Sequence, residues 1–208
     1  NVVFFRFFNR VNLYEELRVK PFLMLDEGLK EGILKVFKER EQNSLPVFNN
    51  AYIISSNKKG EKKYETILNI IEELSRKVEE IISEINLCRT PLESFLVIKQ
   101  IPLVGPFLAN EIWTDLTYFG FFNQKWNDND FVNIGPGSKW GIDLIYENNQ
   151  DKDDKMEKLR RLYNLQRQVL ANIYKDLGEN LSWREIAYRD AFSNYPYLSI
   201  TNIEGSLC

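Results

Sequence analysis

The chain has 208 residues, of which 44% are hydrophobic, and a formal net charge of -3 at pH 7. These values describe an ordinary globular protein that can bury a core, and they exclude one that binds nucleic acid through bulk positive charge. The chain contains no histidine, which excludes Ser-His-Asp and Cys-His catalysis and every histidine-based metal site.

Hydrophobic periodicity predicts helices through most of the first half of the chain. Residues 4–17 and 26–40 each place apolar side chains on one face, which predicts two amphipathic helices. The segment "AYIIS" could form a short strand, and the lysine-rich residues near 56–63 are expected to form a flexible loop. Residues 64–86 carry Ile, Leu and Val at alternating spacings of four and three, which predicts one long helix.

The next two predicted helices are joined by a tight turn. The sequence "TPLE" at residues 90–93 combines a capping box with a proline at the first helical position, so a helix should begin there. It should end before Pro102, because the residue preceding a proline disfavours the helical conformation. A second helix is predicted over residues 106–118, and Gly120 can terminate it.

The last third of the chain is predicted to alternate loops and helices. Residues 123–141 are rich in Asn, Asp and Gly, which predicts an ordered loop long enough to carry a function. A solvated, flexible linker is expected near residues 147–155, and a helix over 153–177. Residues 182–185 form a capping box for a final helix. We expect one mostly α domain over residues 1–208, a compact helical bundle with ordered functional loops.

Cysteine usage and hydropathy bear on the compartment. Two cysteines, and no apolar run long enough to cross a bilayer, favour a reducing intracellular compartment (cytoplasmic or nuclear) without a membrane. We expect no metal and no other cofactor, so acid–base chemistry would fall to carboxylates, Tyr or Lys. The chain does not begin with Met, and we expect it to be a segment cut from a longer polypeptide.

The turn in "IPLVGPFLA" has the pattern of a helix-hairpin-helix. In such a turn, backbone N–H groups at the start of the second helix point toward a phosphate. Gly105 would allow close approach, and Pro106 starts the helix without losing a donor. The alternative is a Pro/Gly connection in an ordinary α-hairpin. Leu103 stands where the usual L-P-G-V-G pattern has its first glycine.

The loop "WNDNDFV" supplies two carboxylates, Asp128 and Asp130. Their place is similar to that of the catalytic Asp in helix-hairpin-helix DNA glycosylases, which lies in a loop beyond the hairpin glycine. Close to an extruded nucleotide, such an Asp could act as a base or stabilise positive charge at the reacting carbon. The alternative is an Asp that caps its own loop. Lyase-type glycosylases carry a lysine where this chain has Phe107, so Schiff-base chemistry is not expected.

The stretch "NIGPGSKWG" could form a nest for a phosphate or pyrophosphate. Gly135 and Gly137 allow backbone conformations closed to other residues, while Ser138 and Lys139 offer a hydroxyl and a cation. The order and spacing of a Walker motif are absent. The alternative is a Gly-Pro-Gly turn with no ligand.

Taken together, four segments resemble one specific group of proteins. They are "FFRFFNR", "IPLVGPFLANEIWTDLTY", "DNDFVNIGPGSKWG" and "LSWREIAYRDAFSNYPY". The group comprises the α-glutamyl/putrescinyl-thymine pyrophosphorylases and the helical domains of 5-hydroxymethyluracil DNA kinases, DNA-glycosylase-like proteins associated with thymine hypermodification. The likeness spans most of the chain and rests on the order of the parts: Phe-Arg-Phe-Asn, the hairpin, Asp-Leu-Thr-Tyr and Gly-Pro-Gly-Ser.

The resemblance implies a two-step chemistry. A kinase first converts 5-hydroxymethyluracil in DNA to a pyrophosphorylated hydroxymethyl group. An enzyme of this group then expels pyrophosphate, and an amine or amino acid adds to the exocyclic carbon. Carried to this sequence, Asp130 would be the leading acid–base group and Asp128 the next. The resemblance places the pyrophosphate at Gly135, Gly137, Ser138 and Lys139, the DNA backbone at Gly105, Pro106 and Phe107, and the substrate-facing polar side at Arg6, Asn9 and Arg10.

The function expected from the resemblance is that of a base-modifying transferase. It would act on an extruded, modified thymine in DNA, with an amine as co-substrate and a 5-hydroxymethyluracil DNA kinase as partner. Two alternatives remain open: a non-catalytic DNA-binding helical domain of a kinase-type protein, and a monofunctional DNA glycosylase. For the basic side chains, the alternative is a solvated face.

Overall fold

A computed structural model of the chain describes residues 1–17, 22, 24–49, 60, 62–146 and 154–169. The regular secondary structure within these residues is all helix, with no strand there, which confirms the mostly α fold class. The helices are α1 Val2–Phe8, α2 Val11–Leu17, α3 Glu27–Gln42, α4 Lys63–Arg76, α5 Val78–Leu87, α6 Pro91–Lys99, α7 Pro106–Tyr118, α8 Pro136–Ile145 and α9 Lys155–Val169. The chain divides into two compact units, Asn1–Lys125 and Trp126–Cys208.

The first unit is built around α7. Helices α1 and α6 both pack against it, while α4 packs against α1, α3 and α5. The interior is strongly aromatic because Phe4, Phe7 and Trp113 are almost wholly buried. The indole Nε1 of Trp113 donates a 2.8 Å hydrogen bond to the hydroxyl of Ser94, which ties α7 to α6 inside the core. This bond satisfies the polar end of a buried indole, as burial of tryptophan requires.

Capping signals in the sequence set several helix ends as predicted. The Thr90 hydroxyl accepts a hydrogen bond from the Glu93 backbone N–H, and the Glu93 carboxylate accepts one from the Thr90 backbone N–H. The predicted capping box of α6 is therefore present. Helix α7 covers the predicted residues, and Gly120 follows it with a positive φ of 62°. A left-handed residue after the last turn suits glycine, which has no Cβ to clash.

Two predicted long helices are each broken in two, which corrects the sequence analysis. Residues 4–17 form α1 and α2, because Asn9 adopts φ 45° and ψ 48° and ends α1. Asparagine tolerates this left-handed conformation better than most residues. Residues 64–86 form α4 and α5, with a break at Lys77. The Lys77 N–H donates to the carbonyl of Leu74, three residues earlier, which tightens the last turn of α4. Hydrophobic spacing did not reveal either break.

The second unit has a small core formed by Val132, Ile142 and Leu159. Helix α8 packs against α9, and the Tyr146 hydroxyl donates to the carbonyl of Lys158 at 3.1 Å. The prediction of one continuous loop over residues 123–141 is wrong for its last third. Gly135 is the N-cap of α8 and Pro136 occupies its first turn, the arrangement that starts α7.

Several predictions fall outside the described residues. They are the strand at 51–55, most of the two flexible segments near 56–63 and 147–155, the end of the helix predicted to reach 177, and the final helix. Within the described parts, no helix is long and apolar enough to cross a membrane.

Candidate nucleic-acid interface

The hairpin between α6 and α7 is a tight turn held by apolar anchors. Ile101 and Val104 are buried, and the Val104 N–H donates to the Ile101 carbonyl at 3.0 Å. Between them, Leu103 adopts φ 65°, a left-handed conformation that costs a leucine roughly 1–2 kcal/mol. Leu103 stands where the predicted helix-hairpin-helix pattern has its first glycine. The turn at this position has a left-handed backbone of the kind that glycine adopts most easily.

The start of α7 is open to solvent. Gly105, Pro106 and Phe107 are exposed, and Phe107 retains 52% of its accessible surface. Gly105 is the N-cap, with φ -76° and no side chain to cap the first turn. A Cβ at this position would meet nothing within 4 Å, so the fold itself does not require glycine. An exposed helix N-terminus favours a negative ligand through its dipole and its backbone N–H groups.

Arg6 lies inside the fold, which differs from the substrate-facing position that the resemblance implied. The residue is only 3% exposed. Its Nε and Nη2 donate to the two carboxylate oxygens of Asp115 at 2.6 and 2.5 Å, and its Nη1 donates to Glu111 at 3.0 Å. The guanidinium thus clamps α1 to the second half of α7. Asp115 lies ten residues beyond Gly105, about 15 Å along a helix axis.

Asn9 and Arg10 lie just beyond the end of α1. The Asn9 carbonyl accepts from the Asn49 side chain at 3.0 Å, so the left-handed turn is held by the segment that follows α3. Arg10 is half-buried, and its Nη1 donates to the carbonyl of Phe48 at 3.1 Å. Its Nε is buried without a hydrogen-bond partner. Arg10 therefore keeps a donor that a ligand could satisfy.

The two candidate carboxylates lie in a short turn of the second unit. The Asp130 carboxylate accepts from the backbone N–H of Asn127 at 2.8 Å, and the Asp130 N–H donates to the Asn127 carbonyl at 3.0 Å. This is the loop-capping arrangement that the sequence left open as the alternative. Asp130 is exposed, whereas Asp128 is partly buried. The carboxylate of Asp130 both stabilises the turn and reaches solvent.

The predicted glycine nest has a different backbone from the one expected. Gly135 adopts φ -80° and ψ 179°, and Gly137 lies within α8, so neither uses a left-handed conformation. Ser138 and Lys139 occupy the first turn of that helix, with Lys139 exposed. The segment is a helix N-terminus and not a nest. Such a terminus can still attract an anion.

The structure groups these residues in two separate sets. In the first unit, Arg6 reaches α7 through Asp115, and Asn9 and Arg10 lie beside the segment that follows α3. In the second unit, four residues separate Asp130 from Gly135, the N-cap of α8. Sequence reasoning assigned no role to four further residues, Glu111, Asp115, Phe48 and Lys63. The i, i+4 spacing of Glu111 and Asp115 on the predicted helix 106–118 was a signal that could have revealed a cation between them.

No cluster of three or more Cys, Asp or Glu side chains suited to a metal ion occurs among the residues with described positions.

Comparison with known proteins identifies the family. Residues 1–208 match the family model described as 5-hmdU DNA kinase, helical domain. The chain belongs to this family. It is also 29% identical over 125 residues to a 5-hmdU DNA kinase of Bacillus phage SP10, an alignment that covers 53% of this chain and 19% of that protein. No solved structure matches the chain. Family membership confirms the suspected group, while the helix-hairpin-helix and glycosylase-like assignments stay predictions.

Proposed function

We propose that this helical domain binds DNA containing 5-hydroxymethyluracil and presents the modified thymine for phosphoryl transfer. The observation that carries the proposal is the match of the whole chain to the helical-domain family. The related phage protein is named for a kinase acting on this nucleoside, and the matched segment is 19% of its length. The chain lacks a Walker A motif, so in this proposal a separate kinase module transfers the phosphoryl group.

In this proposal the hairpin supplies the contact with the DNA backbone. The start of α7 exposes Gly105 and Pro106 and carries no side-chain cap. Backbone N–H groups at such a terminus bind phosphate without a basic surface, which suits a chain with a net charge of -3. The exposed ring of Phe107 offers an apolar face on which a displaced base could stack.

The test is binding of a short DNA duplex that carries 5-hydroxymethyluracil, measured by fluorescence anisotropy against the same duplex with thymine. We expect Gly105→Val to weaken binding, because its Cβ would stand between the helix N-terminus and the phosphate. Gly32→Val on the outer surface of α3 is the matched control, since a Cβ at either glycine meets nothing within 4 Å. Helical circular dichroism should be unchanged in both variants.

Equal affinities of Gly105→Val and Gly32→Val would remove the hairpin from the interface. Failure of the unmodified chain to bind either duplex would contradict the proposed function itself.

A second candidate function, transfer of an amine to the base with loss of pyrophosphate, rests on the second unit. Asp130 and the N-terminus of α8 lie within one short segment. The amine nitrogen would form a bond to the exocyclic carbon while the carbon–oxygen bond breaks and its electrons leave with pyrophosphate. Asp130 would take the proton from the resulting ammonium. The α8 N-terminus and Lys139 would neutralise the departing pyrophosphate.

Mass spectrometry of the oligonucleotide product separates the candidates. A heavier base indicates transfer, an abasic site indicates a glycosylase, and an unchanged strand favours binding alone. We expect Asp130→Asn to lower a transfer rate by about a hundredfold to ten-thousandfold. The Asn side-chain oxygen can still accept from the Asn127 N–H, so the turn should persist. Asp128→Asn is the control with the smaller expected effect, and full activity of Asp130→Asn would exclude this mechanism.

A further inference from the structure

Two cations contact the same residue, Phe48, on the side of the first unit where α1 ends and α4 begins. We call Arg10 and Lys63 together the Arg10–Lys63 site. Arg10 Nη1 donates to the Phe48 carbonyl at 3.1 Å, and Lys63 Nζ lies 4.4 Å from the centroid of the Phe48 ring. The ring is held in place by Phe8, against which it stacks with a centroid distance of 5.3 Å. A fixed aromatic residue thus positions both cations.

The Arg10 guanidinium is incompletely satisfied. Its Nε is buried and has no acceptor, although the neighbouring Nη1 is bonded. A buried donor without a partner costs about 1–3 kcal/mol, and more when the group is charged. Among the residues that the structure describes, Arg10 forms no ion pair with a carboxylate, whereas Arg6 contacts two. An incoming anion would supply the missing acceptor.

The position of Lys63 is electrostatically unfavourable for a cation. It is the first residue of α4, where the helix dipole disfavours a cation. Burial lowers the pKa of its ammonium. The adjacent Lys62 differs, because its ammonium contacts Glu41 at 3.2 Å. Of the two neighbouring lysines, only Lys62 has a carboxylate partner within the described parts of the chain.

We propose that the Arg10–Lys63 site binds a phosphodiester phosphate of the DNA strand. The proposal rests on the proposed function, since it names the DNA backbone as the source of the anion. A phosphate oxygen would accept a hydrogen bond from the unpartnered Nε–H of Arg10, and the negative charge of the phosphate would balance the ammonium of Lys63. The positive pole of α4 adds to the attraction. The site gives the acidic chain a local cationic contact that its net charge does not indicate.

The first experiment measures how DNA affinity of the 208-residue chain depends on salt. The logarithm of the binding constant decreases linearly with the logarithm of the salt concentration. For each lost phosphate contact, this negative slope should become shallower by about 0.9 on duplex DNA and about 0.7 on a single strand. We expect this reduction for Arg10→Gln and for Lys63→Gln. The double variant should lose little more slope, because both cations contact one phosphate. Lys62→Gln should leave the slope unchanged. Lys63→Arg keeps the positive charge, so its slope should equal that of the unmodified chain.

Unchanged slopes in Arg10→Gln and Lys63→Gln, with DNA still bound, overturn the site and leave the proposed function standing. Absence of salt-dependent binding by the unmodified chain overturns both proposals. Equal slope losses in Lys62→Gln and Lys63→Gln would show general screening and also reject the site.

The second experiment observes the Arg10 Nε–H directly by ¹⁵N NMR, with Arg10→Gln providing the assignment. We expect the signal to shift when a DNA oligonucleotide is added, and to shift much less in Lys63→Gln. Inorganic pyrophosphate serves as the competing probe. A shift with pyrophosphate but not with DNA would make this a site for free phosphates and reject the DNA strand as the source. No shift with DNA would reject contact at Nε.

Discussion

Arg6 and Arg10 lie four residues apart, yet their surroundings differ almost completely. Arg6 is enclosed between α1 and α7 with three hydrogen bonds to two carboxylates. Arg10 follows the left-handed residue Asn9 and keeps a buried donor without a partner. Had α1 continued, both side chains would lie on one helix face. Because α1 ends at Asn9, Arg6 stays in the helix facing its carboxylates, whereas Arg10 lies beyond the helix and keeps an Nε–H without a partner.

The difference separates a structural role for Arg6 from the binding role proposed for Arg10. The ion pairs of Arg6 are removed from water, with side-chain exposures of 4% for Arg6 and 14% for Asp115. Two carboxylates on one guanidinium compensate its desolvation and fix its orientation. Arg10 has no comparable partner among the described residues. Stability should therefore depend on Arg6, and ligand binding on Arg10.

The largest expected effect is the loss of stability in Arg6→Met. This change removes the cation but leaves Glu111 and Asp115 in the interior, and an uncompensated buried charge costs about 3–5 kcal/mol. Urea unfolding should show this loss of free energy of unfolding. Arg10→Met should change it by about 1 kcal/mol or less, since no carboxylate there loses its partner and the lost bond to Phe48 is offset by removal of the unsatisfied Nε–H. Similar losses of unfolding free energy in Arg6→Met and Arg10→Met would contradict the assignment of different roles to the two arginines.

A smaller effect should distinguish the two carboxylates that hold Arg6. Asp115 accepts two hydrogen bonds from the guanidinium, and Glu111 accepts one. Asp115→Asn replaces one of the two acceptor oxygens by a donor, so we expect a loss of about 1–3 kcal/mol in the free energy of unfolding. Glu111→Gln keeps an oxygen for Nη1 and leaves one carboxylate per cation, so its loss should be smaller. The reverse order would make Glu111 the principal partner.

The sequence predicted the elements that local chemistry determines. The Thr90–Glu93 capping box and the Gly105-Pro106 start depend on residues close in the chain, and the structure has both. The same Gly-Pro signal at Gly135 was present but was outweighed by the Asn- and Gly-rich composition around it, so α8 was missed. Composition averages over a window, whereas a helix start depends on two residues.

Features that depend on distant contacts could not be read from the sequence. Arg6 and Asp115 are 109 positions apart, and only the packing of α1 on α7 brings them together. The polar pattern of "FFRFFNR" therefore indicated an outward face for a side chain that is buried. The hydrogen-bond partner of Asp130 could not be predicted for a related reason, because an aspartate in a loop can cap its own turn or face a ligand. The site residues of both units remain predictions that the proposed experiments address.

The smallest expected effect has the opposite sign and concerns Lys63. Lys63→Gln removes a cation from the positive end of α4 and from a partly desolvated position. We expect folding to become more stable by at most about 0.3–1 kcal/mol at low ionic strength, because the lost contact with the Phe48 ring offsets part of the gain. The gain should shrink as salt screens the dipole. Lys62→Gln should show no gain, because it also gives up the contact with Glu41. Urea unfolding at two salt concentrations measures both variants. A more stable fold together with weaker DNA binding is what a residue kept for its ligand should give, whereas a loss of stability in Lys63→Gln would make Lys63 a structural residue like Arg6.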